Sequence, residues 1–157
     1  MSAPAVELLA PLARDREVVL QVRVPPELPE VMGDAERLRR VVTNLVGNAL
    51  KFTGSGGSVT VEAHADRKAG RLLVSVSDTG PGIPVHARAR IFEKFACSEN
   101  DSLGRTSTGL GLYFCRLIVE AHGGRIWAAG EPGEGATFVF SLPLPAAARH
   151  EQAAALA

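Results

Sequence analysis

The stretch DAERLRRVVTNLVGNALKFT (34–53) decides how this chain is read. Asp34 has the side chain of a helix N-cap, and it opens a segment running to about Lys51. At about 100° per residue, Leu38, Val41, Val42, Leu45, Val46 and Ala49 cover one half of that helix. Arg37, Arg40, Asn44, Asn48 and Lys51 fall in one narrow stripe on the other side. Asparagine is a poor helix former, because its amide competes for backbone hydrogen bonds. Two of them one turn apart, followed by a lysine, need a reason. An amide oxygen is a hard, neutral ligand of the kind Mg²⁺ accepts beside phosphate oxygens and water, and a lysine one turn on pairs with phosphate. A solvated helix face is the plainer alternative, and composition leaves both open.

Working outward, REVVLQVRV (16–24) alternates at Val18, Leu20, Val22 and Val24 and predicts a strand. PPELPEV (25–31) is a proline-set connection. After the GSGG turn (54–57), SVTVEAHAD (58–66) and LLVSVSD (72–78) alternate cleanly and predict an antiparallel hairpin. Leu72, Val74, Val76 and Asp78 share a parity, so a carboxylate ends the second strand on the core side. TGPGIP (79–84) punctuates, VHARARIFEKF predicts a short helix, and residues 97–108 are polar and aperiodic. A helix over 109–124 places Leu110, Phe114, Leu117 and Ala121 in phase, with glycines at its C-terminal end. RIWAAGE and GATFVFSLPL predict a last hairpin.

Strands next to one another in sequence pair, and helices fall between the pairs. That order predicts an α/β (α+β) two-layer sandwich: a mixed, mainly antiparallel sheet of about five strands with about three helices on one face. Residues 1–15 read as a linker or the end of a preceding helix, 16–144 as one folded domain, and 145–157 as a flexible tail.

The 157 residues suit one core, and seventeen basic side chains balance seventeen acidic ones. Zero net charge argues against nucleic-acid or membrane binding driven by bulk charge, so an anionic ligand must be caught by local geometry. Cys97 and Cys115 have no zinc-like spacing and read as free thiols. No apolar run approaches the ~20 residues of a membrane span.

Two further motifs carry chemistry. In SDTGPGIP, a core-facing Asp78 needs a donor, which an exocyclic amine on a flat heterocycle supplies. Gly80 and Gly82 let the backbone approach a ring, although D-T-G and P-G are also ordinary turn dipeptides. In TSTGLGL, Thr108 and the glycines open a helix whose N-terminus offers free N–H groups to an anion.

Together these segments resemble the ATP-binding catalytic domain of sensor histidine kinases, within the Bergerat-fold family of gyrase, Hsp90, MutL and histidine kinases. DAERLRRVVTNLVGNALKFT resembles the N box, DTGPGI the G1 box, FEKF (92–95) the F box, GLGL (109–112) the G2 box and GATF (135–138) the final G box. The resemblance covers residues from about 16 to 142. It implies Asn48 as the Mg²⁺ ligand, Asn44 and Lys51 as catalytic residues beside it, and Phe52 against adenine. Asp78 would take the adenine amine, with Gly80, Gly82 and Ile83 shaping the pocket. Phe95, Arg105, Thr108, Gly109, Leu110, Gly111, Leu112 and Thr137 complete the implied ATP-binding set, with 96–108 as the lid.

The implied function is transfer of the γ-phosphate of Mg–ATP to a histidine on a separate dimerisation domain, for relay to a response regulator in two-component signalling. The implied setting is cytoplasmic, the parent protein membrane-anchored or not, and the isolated domain monomeric, without nucleic acid or direct membrane contact. Members of the family that hydrolyse ATP or phosphorylate serine typically carry a glutamate where this chain has Asn44. An amide accepts no proton at neutral pH, so the site favours an imidazole nucleophile, which brings its own lone pair. Cys97 stands where the family often has arginine or glutamine, and Thr106 and Ser107 where many members have glycines. Those departures keep a nucleotide-deficient scaffold as the alternative; a stand-alone serine kinase or ATPase fits less well. No phosphoacceptor segment is recognisable: His64, His86 and His122 sit in the domain, His122 where a positive charge suits a helix C-terminus, and His150–Glu151 lies in the alanine-rich tail.

Overall fold

Asp34 caps the long helix through its side chain. In the computed structural model, which describes residues 6–94, 110–130 and 133–145, its Oδ1 accepts from the backbone N–H of Glu36 at 3.0 Å and of Arg37 at 3.2 Å. The elements in chain order are α1 (Ala10–Asp15), β1 (Val19–Arg23), α2 (Ala35–Phe52), β2 (Ser58–Asp66), β3 (Arg71–Asp78), α3 (Gly111–Ala121), β4 (Arg125–Ala129) and β5 (Thr137–Pro143). The apolar half of α2 is buried as its periodicity predicts, with Val41, Leu45, Val46 and Leu50 fully covered. Each such side chain contributes roughly 1.5–3 kcal/mol of transfer free energy.

The five strands form one sheet in the order β1-β2-β3-β5-β4. β1 and β2 are parallel and the other pairs antiparallel. A parallel pair needs a crossover, and α2 is that crossover. Leu72, Val74 and Val76 of β3 lie opposite Leu142, Phe140 and Phe138 of β5, all six buried. α2 and α3 pack on each other over this face. Val6 and Ala13 are buried in the same core, so α1 packs as part of the folded unit.

Three local expectations differ from the structure. Within VHARARIFEKF, the described residues 85–94 hold two single 3₁₀ turns, Val85–Ala87 and Arg90–Phe92, rather than one helix. Phe92 plugs the second turn into the core, edge-on to Phe138 with centroids 6.1 Å apart. In β1, Val22 has core parity yet is 40 % exposed, because β1 is an edge strand with one neighbour. The third difference is the face of α3. Phe114 and Leu117 point outward, 50 % and 41 % exposed, while Cys115 and Val119 are fully buried. The segment is apolar on nearly every side, so the contact with α2 selects the smaller cysteine for the tight position.

Candidate functional site

Asp78 closes β3 with its carboxylate on the core side, half-buried. The backbone N–H of Gly80 donates to Oδ1 at 2.8 Å and that of Ala136 at 3.3 Å. Burial nevertheless raises its pKa above the usual carboxylate range, outweighing the two backbone donors, which act downward. Both donors meet the same oxygen, and among the described residues none meets Oδ2. A half-desolvated oxygen of this kind is suited to one added donor.

Glycines let three segments converge on this carboxylate. A Cβ on Gly80 would stand 3.0 Å from Asp78 Oδ1 and 3.0 Å from the Phe52 carbonyl oxygen, so the end of α2 lies against the turn. Gly82 has φ +81°, a left-handed conformation. A Cβ on Gly135 would overlap the Asp78 carbonyl oxygen. Around it the Asp78 N–H donates to Ala136 O at 2.9 Å and the Gly133 N–H to Pro81 O at 2.8 Å. Arg88 donates to the Gly130 carbonyl, which ties the 3₁₀ segment to the end of β4.

The polar stripe of α2 runs up to the same place. Asn48, Lys51 and Phe52 are half-buried and Asn44 exposed, with the Lys51 ammonium 5.5 Å from the Phe52 ring centroid. The final carbonyls of α2, on Leu50 and Lys51, accept from the Arg16 guanidinium at 3.4 and 3.3 Å. Ile83 and Leu112 pack against the core. Leu110 is half-buried, and among the described residues nothing lies within 4 Å of a Cβ added at Gly111, which opens α3. Phe95, Arg105, Thr108 and Gly109 lie outside the described residues, as do Cys97, Thr106, Ser107 and His150.

Thr137 is not brought to this site. It pairs with Ser77 on the sheet face opposite to Asp78, the two hydroxyls 3.1 Å apart. Alternation along β5 forces this, because Phe138 and Phe140 occupy the core face. Ala136, one residue earlier, is the contact, through its backbone. His122 joins the two helices: its Nε2 accepts from the Asp34 N–H at 3.0 Å, and its Nδ1 lies 2.7 Å from Ile118 O. Arg16 and Cys115 also reach α2 unannounced by any motif; only proximity reveals them.

Among the described residues no group of three His, Cys, Asp or Glu side chains could hold a metal ion. Amide oxygens on α2 instead suit a cation that arrives with phosphate oxygens as its other ligands. Nor is any described helix long and apolar enough to cross a membrane.

The model of the histidine kinase-, DNA gyrase B-, and HSP90-like ATPases matches residues 33–146. The chain belongs to this ATPase family. Within it, the adaptive-response sensory kinase SasA of Parasynechococcus marenigrum (strain WH8102) is 44% identical over 144 residues, 92% of this chain and 37% of that kinase. Full-length ShkA in complex with AMPPNP superposes with a TM-score of 0.78 at 40% identity, over 89% of this chain and 28% of ShkA. The nucleotide-free catalytic domain of the histidine kinase ThkA gives 0.76 at 30% identity, over 89% of this chain and 88% of that domain. The ATPase-family chain therefore spans 37% of the length of the sensory kinase. It has the fold of a histidine kinase catalytic domain.

Proposed function

We propose that this domain binds Mg–ATP and donates the γ-phosphate to a histidine on a separate phosphoacceptor domain. The observation that carries the reading is Asp78, a half-buried carboxylate with one oxygen satisfied by backbone and the other without a donor among the described residues, beside a glycine turn. Its open oxygen accepts from the adenine amine, and Gly80 and Gly82 leave room for the ring. Phe52 lies against the ring. Lys51 pairs with the triphosphate and Asn48 ligates the metal, with Asn44 next to it. When bound, Mg²⁺ neutralises charge on the phosphate oxygens.

The incoming imidazole nitrogen uses its own lone pair to form the N–P bond as the bridging P–O bond breaks, and the electron pair of that bond leaves with ADP. Asn44 takes no proton, which disfavours water and serine as nucleophiles. In this reading the domain works in the cytoplasm within a two-component kinase, and the phosphohistidine then serves a response regulator. The sensory-kinase relatives support the kinase part of that reading.

Calorimetric titration of ADP and a non-hydrolysable ATP analogue, with and without Mg²⁺, tests the reading. Saturable binding that Mg²⁺ strengthens and Asp78→Asn abolishes is the expected result. A wild type that binds neither nucleotide overturns it and leaves a scaffold of the same fold.

A further inference from the structure

The corner between α1 and β1 grips the end of α2. Arg16 closes α1, its N–H donating to Leu12 O at 3.1 Å, and its side chain reaches across to the helix that carries the amide stripe. There Nη1 donates to Leu50 O at 3.4 Å and to Lys51 O at 3.3 Å. The last four carbonyls of a helix have no partner within it. In α2, Ala49 O accepts from the Thr53 N–H and hydroxyl at 3.0 and 2.7 Å, and Phe52 O lies against Gly80. The two between them, on Leu50 and Lys51, face Arg16, a cation at the negative end of the helix dipole. Glu17, next in the chain, stands at φ +57°, a left-handed conformation that a non-glycine residue keeps only when its surroundings hold it. The turn after α2 does so: Glu17 O accepts from the Gly56 N–H at 2.9 Å and its carboxylate from the Ser55 hydroxyl at 2.7 Å. On the other side, Ala13 of α1 is buried in the core. The arm that carries the guanidinium is therefore anchored at both ends.

We propose that Arg16 is a positioning residue for the nucleotide site: by holding the Leu50 and Lys51 carbonyls it fixes the last turn of α2 and so aims the Lys51 side chain at the triphosphate. The inference rests on the Mg–ATP reading above. Lysine has a flexible four-carbon stem, so the direction of its Cα–Cβ bond decides which region the ammonium samples. A helix end frays when its terminal carbonyls lack partners, and a frayed last turn swings that bond away. Phe52 is braced separately, by the Gly80 turn against its carbonyl, so the effect of Arg16 falls on Lys51.

The test compares Arg16→Met, which keeps an apolar stem without charge or donors, with Arg16→Lys, which keeps a charged donor. In ligand-free protein, amide hydrogen exchange at Phe52 and Thr53 is expected to quicken roughly tenfold in Arg16→Met, with Val42 in mid-helix unchanged. Titration with AMPPNP and Mg²⁺ is expected to show affinity falling roughly three- to tenfold in Arg16→Met, with part of the loss recovered in Arg16→Lys. In a Lys51→Ala background, Arg16→Met is expected to add less than about twofold, because its effect runs through that lysine. Unchanged exchange at the end of α2 overturns the proposal. So does an equal loss of affinity in both backgrounds, which would make Arg16 a stabilising cap only. A wild type that binds no AMPPNP overturns the Mg–ATP reading and the inference together. A wild type that binds it, beside an Arg16→Met protein that binds it equally well, overturns the inference alone.

Discussion

The backbone N–H of Asp34 donates to His122 Nε2 at 3.0 Å, joining the first turn of α2 to the end of α3. The ring is fixed from its other side by Ile118 O at 2.7 Å, and Gly33 lies so close that a Cβ there would overlap the imidazole. His122→Ala is expected to lower the unfolding free energy by about 1–2 kcal/mol, the cost of a lost hydrogen bond and an unpaired helix-end N–H. Gly33→Ala should also destabilise, by pushing the ring off its donor. Urea unfolding of both variants measures this; full stability in both would mean the strap contributes nothing.

Asp78 has a folded pKa above its unfolded value, so its ionised form weighs against folding at neutral pH. Its stabilising contribution is present below the unfolded value of about 3.8 and is lost as pH rises through the raised folded value. Asp78→Asn is therefore expected to be at least as stable as wild type at pH 7, with the gap closing as the medium is acidified. Nucleotide affinity should run the other way, falling as acid protonates the carboxylate. Unfolding curves and titrations across pH 3–8 check both slopes.

Two glycines make opposite predictions. Gly135→Ala forces a Cβ into the Asp78 carbonyl at φ +92° and is expected to cost roughly 2–4 kcal/mol. Among the described residues, nothing lies within 4 Å of a Cβ added at Gly47, inside α2. Gly47→Ala should raise stability by about 0.5–1 kcal/mol through helix propensity. Thermal melts of the pair would show opposite shifts, and a stable Gly135→Ala protein would contradict the close approach.

Asn44→Glu places a proton acceptor where the chain has an amide. Slow ATP hydrolysis is expected to rise, on the order of tenfold or more, measured as phosphate release. An unchanged rate would mean that the residue at position 44 does not choose the nucleophile.

The motifs on α2 and after β3 were legible because they are local. Capping by Asp34, the buried half of α2 and the inward parity of Asp78 each follow from a period and a neighbour within a few residues. The Cys115–Val41 and Arg16–Leu50 contacts were not legible, since 74 and 34 positions separate the partners and no pattern links them. Thr137 was misplaced for a related reason: a motif names a stretch, whereas alternation along a paired strand decides which of its side chains faces inward.

By itself, the sequence determined the amphipathic helix with its amide stripe, the alternating strands, and an inward carboxylate followed by glycines. Those are one-dimensional properties, set by helical and strand periods and by the side chains that cap and turn. Only tertiary structure decided that β5 rather than β4 lies beside β3, that Cys115 rather than Phe114 is buried, and that His122 is strapped to Asp34. Each depends on which surfaces meet. A segment as uniformly apolar as GLYFCRLIVEA offers several faces of similar hydrophobicity, and close packing chooses the one whose shape fits.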